Sequence, residues 1–316
     1  MRAFDIFLLL LGLVLLIQSA KVFVDASVDI AKRLKIPSMV IGLTVVAMGT
    51  SAPETVIGVS AAIGGSGDLA IANSVGANLF NLLFIVGFCA LLYPITVKLK
   101  ELSRDYWVSV SATILLFMMV LVWGGETIPR FASFIFLVCF VVYMFVVVRH
   151  ALKNKIEEDE GEQDDAKPKS LVRSIFFAIL GATLIVVGGQ LTVTSATNLA
   201  LDIGITKRVV GLTIVAMGTS LPELVTTLTA CRKGEGEFAL GFIIGSSIFN
   251  IMFVLGLAGL ITPLTVDSGV KFDMAVLTAG TLTFFLFAQS SERLVRLEGL
   301  AMVLMYVAYM TAVVLI

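Results

Sequence analysis

The sequence predicts an all-α membrane protein: ten transmembrane helices arranged as two inverted five-helix repeats, with broken helices at the centre. Three observations predict it. Of the 316 residues, 58% are hydrophobic and 14% charged, against an apolar share of about 45–50% in ordinary soluble domains. Apolar stretches recur from Phe4 to Ile316, each about 18 to 25 residues long and so able to cross a hydrocarbon layer of about 30 Å as a helix. A long motif is repeated almost verbatim. Lipid offers no water to the backbone, so only helices or a closed barrel can span it, and the run lengths select helices.

The first apolar stretch, Phe4 to Ile17, ends in no small-residue cleavage site and continues into a polar helical segment. It is expected to be the first span rather than a removed signal. Lys21, Asp25 and Asp29 follow at four-residue spacing on one face, where pairing between neighbouring turns is the expected role. Further on, GLTVVAMGTSAPE from Gly42 to Glu54 returns as GLTIVAMGTSLPE from Gly211 to Glu223, at an offset of 169. At that offset GANLFN (Gly76 to Asn81) falls on GSSIFN (Gly245 to Asn250), and Gly12 on Gly181. Each copy holds five spans, an odd number, so the second must run through the membrane in the opposite sense. Inverted repeats of this kind place the substrate site of secondary transporters near the midplane. The organisation is therefore 1–150 as the first repeat, 151–170 as a linker and 171–316 as the second.

Orientation follows from Lys and Arg. With both termini outside, the inner connections carry sixteen of the twenty-two and the outer side five, Lys21 lying within the first span. Such asymmetry marks the cytoplasmic face. The stretch from Arg149 to Arg173 is then cytoplasmic, and its acidic centre, Glu157 to Asp165, reads as a solvated linker, since like charges repel and no calcium-loop spacing is present. A net charge of −1 without a basic stripe gives no reason to expect nucleic acid. Cys89, Cys139 and Cys231 show neither disulfide nor metal spacing and read as apolar filler. Trp107 and Trp123 fit interfacial belts at the ends of the fourth span. Met48 and Met217 fit core or gate positions equally.

Polar residues inside the apolar spans carry the chemistry. Pro53 and Pro222 should break their helices, since proline removes one hydrogen bond and clashes with the carbonyl four residues back. The carbonyls and hydroxyls of Gly49, Thr50 and Ser51, and of Gly218, Thr219 and Ser220, should thereby be freed. Glu54 and Glu223 follow directly. Glu54 lies ten residues before Gly64, about 15 Å along a helix and half the bilayer core. Asn81 lies fourteen residues beyond Gly67, about 21 Å in, before allowing for a distortion expected near Gly76. With Asn250 in the repeated position, all four side chains can meet near the centre. An ionisable group at that depth costs at least about 2.5 kcal/mol and is a functional hypothesis by default. Oxygen ligands without thiolate or imidazole suit hard cations, calcium or sodium above all.

At these residues the sequence resembles the calcium/cation exchanger superfamily, sodium/calcium exchangers of prokaryotic type in particular. GTSAPE with GANLFN, and GTSLPE with GSSIFN, resemble the family's two signature repeats. The resemblance implies ten spans in two inverted sets, central ion sites, and exchange of calcium for sodium by alternating access. It implies cation ligands from Glu54, Glu223, Asn81, Asn250, Thr50, Thr219, Ser51, Ser220 and Ser246, with backbone carbonyls of Ala47 and Ala216. No resident cofactor is implied; calcium and sodium are transported ligands, membrane lipid is the surrounding partner, and nothing requires more than a monomer. The plasma (inner) membrane is the expected location.

Two positions depart from the sodium/calcium pattern: Ala77 stands where a serine ligand is common, and Asn250 where some members carry aspartate. With both asparagines neutral, the two glutamates balance one divalent or two monovalent ions. Sodium is the first expectation for the driving ion, with proton-coupled or potassium-dependent exchange as the rival. An intramembrane enzyme would need a nucleophile with a base or a metal held by histidine or cysteine, and the sole histidine, His150, lies at the linker's edge. A passive channel would favour a continuous polar pore, whereas these polar residues cluster at one depth.

Overall fold

A computed structural model describes residues 2–97, 99–122, 127–153, 170–204, 216–266, 268–291 and 293–315. Most of linker 151–170, Trp123 and the Gly211–Val215 part of the second motif lie outside the described residues. The described chain is almost wholly helical. Its elements are α1 (Arg2–Leu34), a broken pair α2 (Ser38–Thr50) and α3 (Ala52–Ile63), then α4 (Gly67–Leu92), α5 (Leu99–Val122) and α6 (Arg130–Lys153). After the linker come α7 (Leu171–Asp202), a second broken pair α8 (Ala216–Gly218) and α9 (Leu221–Arg232), α10 (Gly236–Ile261), α11 (Ser268–Ser291) and α12 (Arg296–Leu315). Among the described residues, seven helices are long and apolar enough to cross a membrane, and α2 with α3 forms one further bent span.

Burial separates the helices into two groups. α4 and α10 are the most enclosed spans, whereas α1, α6 and α7 present rows of exposed Leu, Val, Ile and Phe, from Phe4 and Leu10 on α1 to Phe176 and Ile179 on α7. Apolar side chains on the outside of a helical bundle are what lipid contact requires. The core therefore lies around α2, α3, α4, α8, α9 and α10, with the long helices flanking it. At 33 residues, α1 would run about 50 Å and must tilt to fit a bilayer.

Contacts in the two halves mirror each other at the sequence offset. α1 and α7 run antiparallel: a Cβ at Gly12 would meet Thr192 and Gly188, one at Gly188 would meet Leu16, and one at Gly181 would meet Phe23. Position 23 plus the offset is 192, so the Gly12 and Gly181 contacts are counterparts. Gly87 abuts Met302 of α12, and its counterpart Gly256 abuts Ser133 of α6. Small residues at these crossings let backbones approach closely, as membrane helices without a hydrophobic drive require. Two short antiparallel pairings repeat the exchange outside the spans, Ile95–Thr96 with Arg293–Leu294 and Thr127–Ile128 with Leu264–Thr265.

The hairpins that return the chain toward the centre are also counterparts. α3 ends with Ser66 N–H donating to the Ala61 carbonyl and Gly65 N–H to Ala62, with Gly65 at φ 79°. α9 ends the same way through Glu235 to Ala230 and Gly234 to Cys231, with Gly234 at φ 81°. This left-handed cap satisfies the last carbonyls and admits glycine without strain. At one end of the molecule Lys233 pairs with Asp25 and donates to the Lys21 carbonyl. Asp25 thus pairs across the two halves rather than with Lys21, whose partner one turn back on α1 is Gln18 at 3.4 Å.

Candidate functional site

The first break is built around Ser51. The helices on either side meet at 49°, with Pro53 in the first turn of α3. Proline is tolerated there because the first-turn N–H groups lack helical acceptors in any case. The break frees less backbone than proline alone suggests. The Ser51 carbonyl accepts Thr55 N–H at 3.1 Å and Thr55 Oγ1 at 2.9 Å; the Ser220 carbonyl accepts Leu224 N–H at 3.0 Å. Both carbonyls are held inside α3 and α9, which corrects the expectation that they are released. Ser51 and Ser220 instead offer their hydroxyls.

Those hydroxyls cross between the halves. Ser51 Oγ donates to Glu223 Oε1 at 3.3 Å and lies 3.2 Å from Ser246 Oγ. Ser220 Oγ donates to Glu54 Oε1 at 3.3 Å. The two carboxyl groups lie within electrostatic range of each other, and Thr50 also approaches Glu223. Thr50 Oγ1 donates to the Val46 carbonyl at 3.1 Å. Ala47 supplies a carbonyl that accepts Ser51 N–H at 3.1 Å and the Thr50 hydroxyl at 3.4 Å. Ala216 opens the described part of α8, and Thr219 is half-buried at the second break. Ala77 occupies the counterpart of Ser246, so the hydroxyl that meets Ser51 has no equivalent beside Ser220.

Asn81 and Asn250 come from π-helical segments, Phe80–Val86 and Phe249–Val254. π-turns inside α-helices recur at functional sites. They also relocate the distortion expected near Gly76: α4 is regular α-helix through Leu79 and widens at Phe80.

The four polar residues are almost wholly enclosed, Glu54, Asn81 and Asn250 at 1% exposure and Glu223 at 0%. Each has an oxygen without a hydrogen-bond partner among the described residues: Glu54 Oε2, Asn81 Oδ1, Glu223 Oε2 and Asn250 Oδ1. Native structures rarely bury such acceptors, because each forfeits about 1–3 kcal/mol of hydration, more when charged. Four of them, paired at one sequence offset, form a set of hard oxygen donors.

Asn78 is the site residue that sequence reasoning missed, although it lies inside the GANLFN motif. Its Oδ1 accepts Asn250 Nδ2 at 3.1 Å, and its own Nδ2 donates to the Ser247 carbonyl at 3.2 Å. Met48 is exposed, which removes core filling as its role. Cys89 of α4 and Cys231 of α9 are buried free thiols close enough to interact; their sequence spacing gave no sign of this.

Fold and centre together define an all-helical integral membrane protein with a buried polar core. Residues 4–149 and 173–315 match the family described as sodium/calcium exchanger protein. The chain is 31% identical to the sodium/calcium exchanger MaX1 of Methanosarcina acetivorans, covering 96% of both chains. It is 35% identical to the inner membrane protein YrbG of Escherichia coli, over 82% of this chain and 81% of that one. A solved structure of the sodium-calcium exchanger NCX_Mj superposes with a TM-score of 0.86 at 30% identity, covering 98% of this chain and 99% of that one. The chain belongs to the sodium/calcium exchanger protein family, a family of transporters and not of enzymes.

Proposed function

We propose that this protein is a secondary antiporter exchanging calcium for sodium by alternating access, with Glu54, Glu223, Asn81 and Asn250 as its central cation ligands. The observation that carries this reading is the set of four buried oxygens without partners among the described residues, two of them carboxylate. Calcium takes six to eight oxygens, mixing carboxylates with neutral carbonyls; the hydroxyls of Thr50, Ser51, Thr219, Ser220 and Ser246 and the carbonyls of Ala47 and Ala216 extend the set. Two carboxylates match the charge of one calcium ion or two sodium ions, so either cargo replaces the other without leaving a net buried charge.

In this proposal the chain crosses the membrane ten times, as two inverted sets of five around residues 151–170. The antiparallel α1 and α7, the mirrored glycine contacts and the crossed Ser–Glu bonds support it. Both termini lie outside, with Lys233 and Asp25 at the cytoplasmic end. The α1 and α7 pair lies outside the enclosed core and approaches it through small residues: a Cβ on Gly189 would stand 3.2 Å from Pro222, and one on Gly49 would stand 3.8 Å from Ala182. Such contacts suit sliding of the pair across the ion site.

Purified protein in proteoliposomes tests the reading. An outward sodium gradient imposed alone is expected to drive uptake of radioactive calcium, with proton or potassium gradients of equal size driving little. Uptake driven by protons would transfer the coupling to the proton-coupled rival, and uptake requiring potassium to the potassium-dependent one. Steady calcium flux without any counter-gradient would replace exchange by a channel.

A further inference from the structure

Position 250 holds a neutral amide where a carboxylate would add a third negative charge to the site, and a neighbouring residue matches that choice. Asn78, 1% exposed, lies one helical turn before Asn81 on α4. Its counterpart at the sequence offset is Ser247, so no second asparagine mirrors it. The Ser247 carbonyl can only accept, and Asn78 Nδ2 donates to it at 3.2 Å. That bond fixes the amide plane of Asn78 and leaves its Oδ1 directed at Asn250. An amide oxygen can only accept as well, so Asn250 must present Nδ2, which it does at 3.1 Å. The Oδ1 of Asn250 is thereby turned away from Asn78 and has no partner among the described residues.

We propose that Asn78 is a positioning and specificity-determining residue: anchored by the Ser247 carbonyl, it accepts the Asn250 amide and so presents Asn250 Oδ1 to the cation. The same geometry selects the residue type at position 250. A carboxylate in that pose would set two acceptor oxygens against each other at about the hydrogen-bond distance, with no proton between them. The neutral amide, and with it the charge of the ion site, is written into Asn78 as much as into Asn250. This rests on the proposed cation role of Asn250.

A double-mutant cycle on calcium binding tests it, using purified full-length protein in detergent and titration calorimetry with calcium chloride. Asn78→Ser withdraws the amide oxygen from Asn250 while staying polar beside a cavity of about 10 Å³ that Ser109, Thr113 and Thr281 also line, room for one water. Asn78→Leu is the stricter, nearly isosteric variant. Each is expected to weaken calcium binding about tenfold in the parent, the scale of one lost buried hydrogen bond, and less than about twofold in an Asn250→Ala background. Melting temperatures measured alongside without calcium are expected to fall more in the parent than in the Asn250→Ala background, where the bond to Asn78 is already absent. Equal loss of calcium affinity in both backgrounds would make Asn78 a structural residue only and overturn the proposal. So would an Asn250→Ala variant that binds calcium as the parent does. Neither outcome touches the glutamates: the wider cation-site reading fails only if their replacement leaves binding intact.

Discussion

Glu54→Gln, and separately Glu223→Gln, is expected to reduce calcium exchange at least about a hundredfold while the protein still inserts and folds. Glutamine keeps the shape and an acceptor oxygen, so the bond from Ser220 to position 54, or from Ser51 to position 223, survives the change. What disappears is one of the two formal charges that, in the proposed site, would face a divalent ion cut off from water. Removing one member of a buried charge pair costs about 3–5 kcal/mol, and 1.4 kcal/mol is already tenfold. The fold does not share this loss, because in the ion-free protein a buried carboxylate oxygen without a partner is itself unfavourable. Two measurements separate the effects. Calcium uptake into proteoliposomes should fall to background in either variant. Calcium at one hundred times the parent's Kd stabilises the parent by about 2.7 kcal/mol, and that thermal shift should vanish in both variants. Normal exchange by both would remove the carboxylates from the ion site.

Much of this was legible in the sequence because membrane burial penalises polar groups severely. A carboxylate repeated within apolar runs, at one offset, after one proline, has few structural explanations, so Glu54 and Glu223 stood out before any geometry. Crossed pairing of Ser51 with Glu223 and of Ser220 with Glu54 was not legible, since it depends on how two distant segments meet. The π-turns at Phe80 and Phe249 left no trace either: apart from Asn81 and Asn250 they fall in apolar runs, where hydrophobic periodicity cannot register one extra residue per turn. Asn78 was hidden differently. It sat inside a motif read as a block, and its role depends on the direction of two hydrogen bonds, which no spacing encodes. The Ser51 carbonyl was misread for a local reason: proline at the second position of a new helix costs only N–H groups that were already unpaired, so Ser51 caps α3 instead of releasing its carbonyl.

Gly245→Ala is expected to destabilise the protein by about 1–3 kcal/mol. Gly245 is helical, on α10, and in a helix interior alanine is favoured over glycine by about 1 kcal/mol. Its surroundings decide otherwise. A Cβ at 245 would collide with the Leu43 carbonyl and come within 2.7 Å of its Cα, backbone belonging to the π-helical Gly42–Val46 segment of α2. No rotamer change relieves a clash with backbone, so α10 would have to move off α2, and overpacking of this kind costs about 1–3 kcal/mol or more. It would also displace Ser246, one residue on, from its place 3.2 Å from Ser51. Thermal unfolding in detergent, with calcium uptake by the same preparations, reads both effects: Gly245→Ala should melt lower than the parent and transport poorly. An unchanged melting temperature with normal uptake would mean that α2 and α10 are not in backbone contact beside the proposed ion site, and the crossed arrangement of hydroxyls and carboxylates would lose its support.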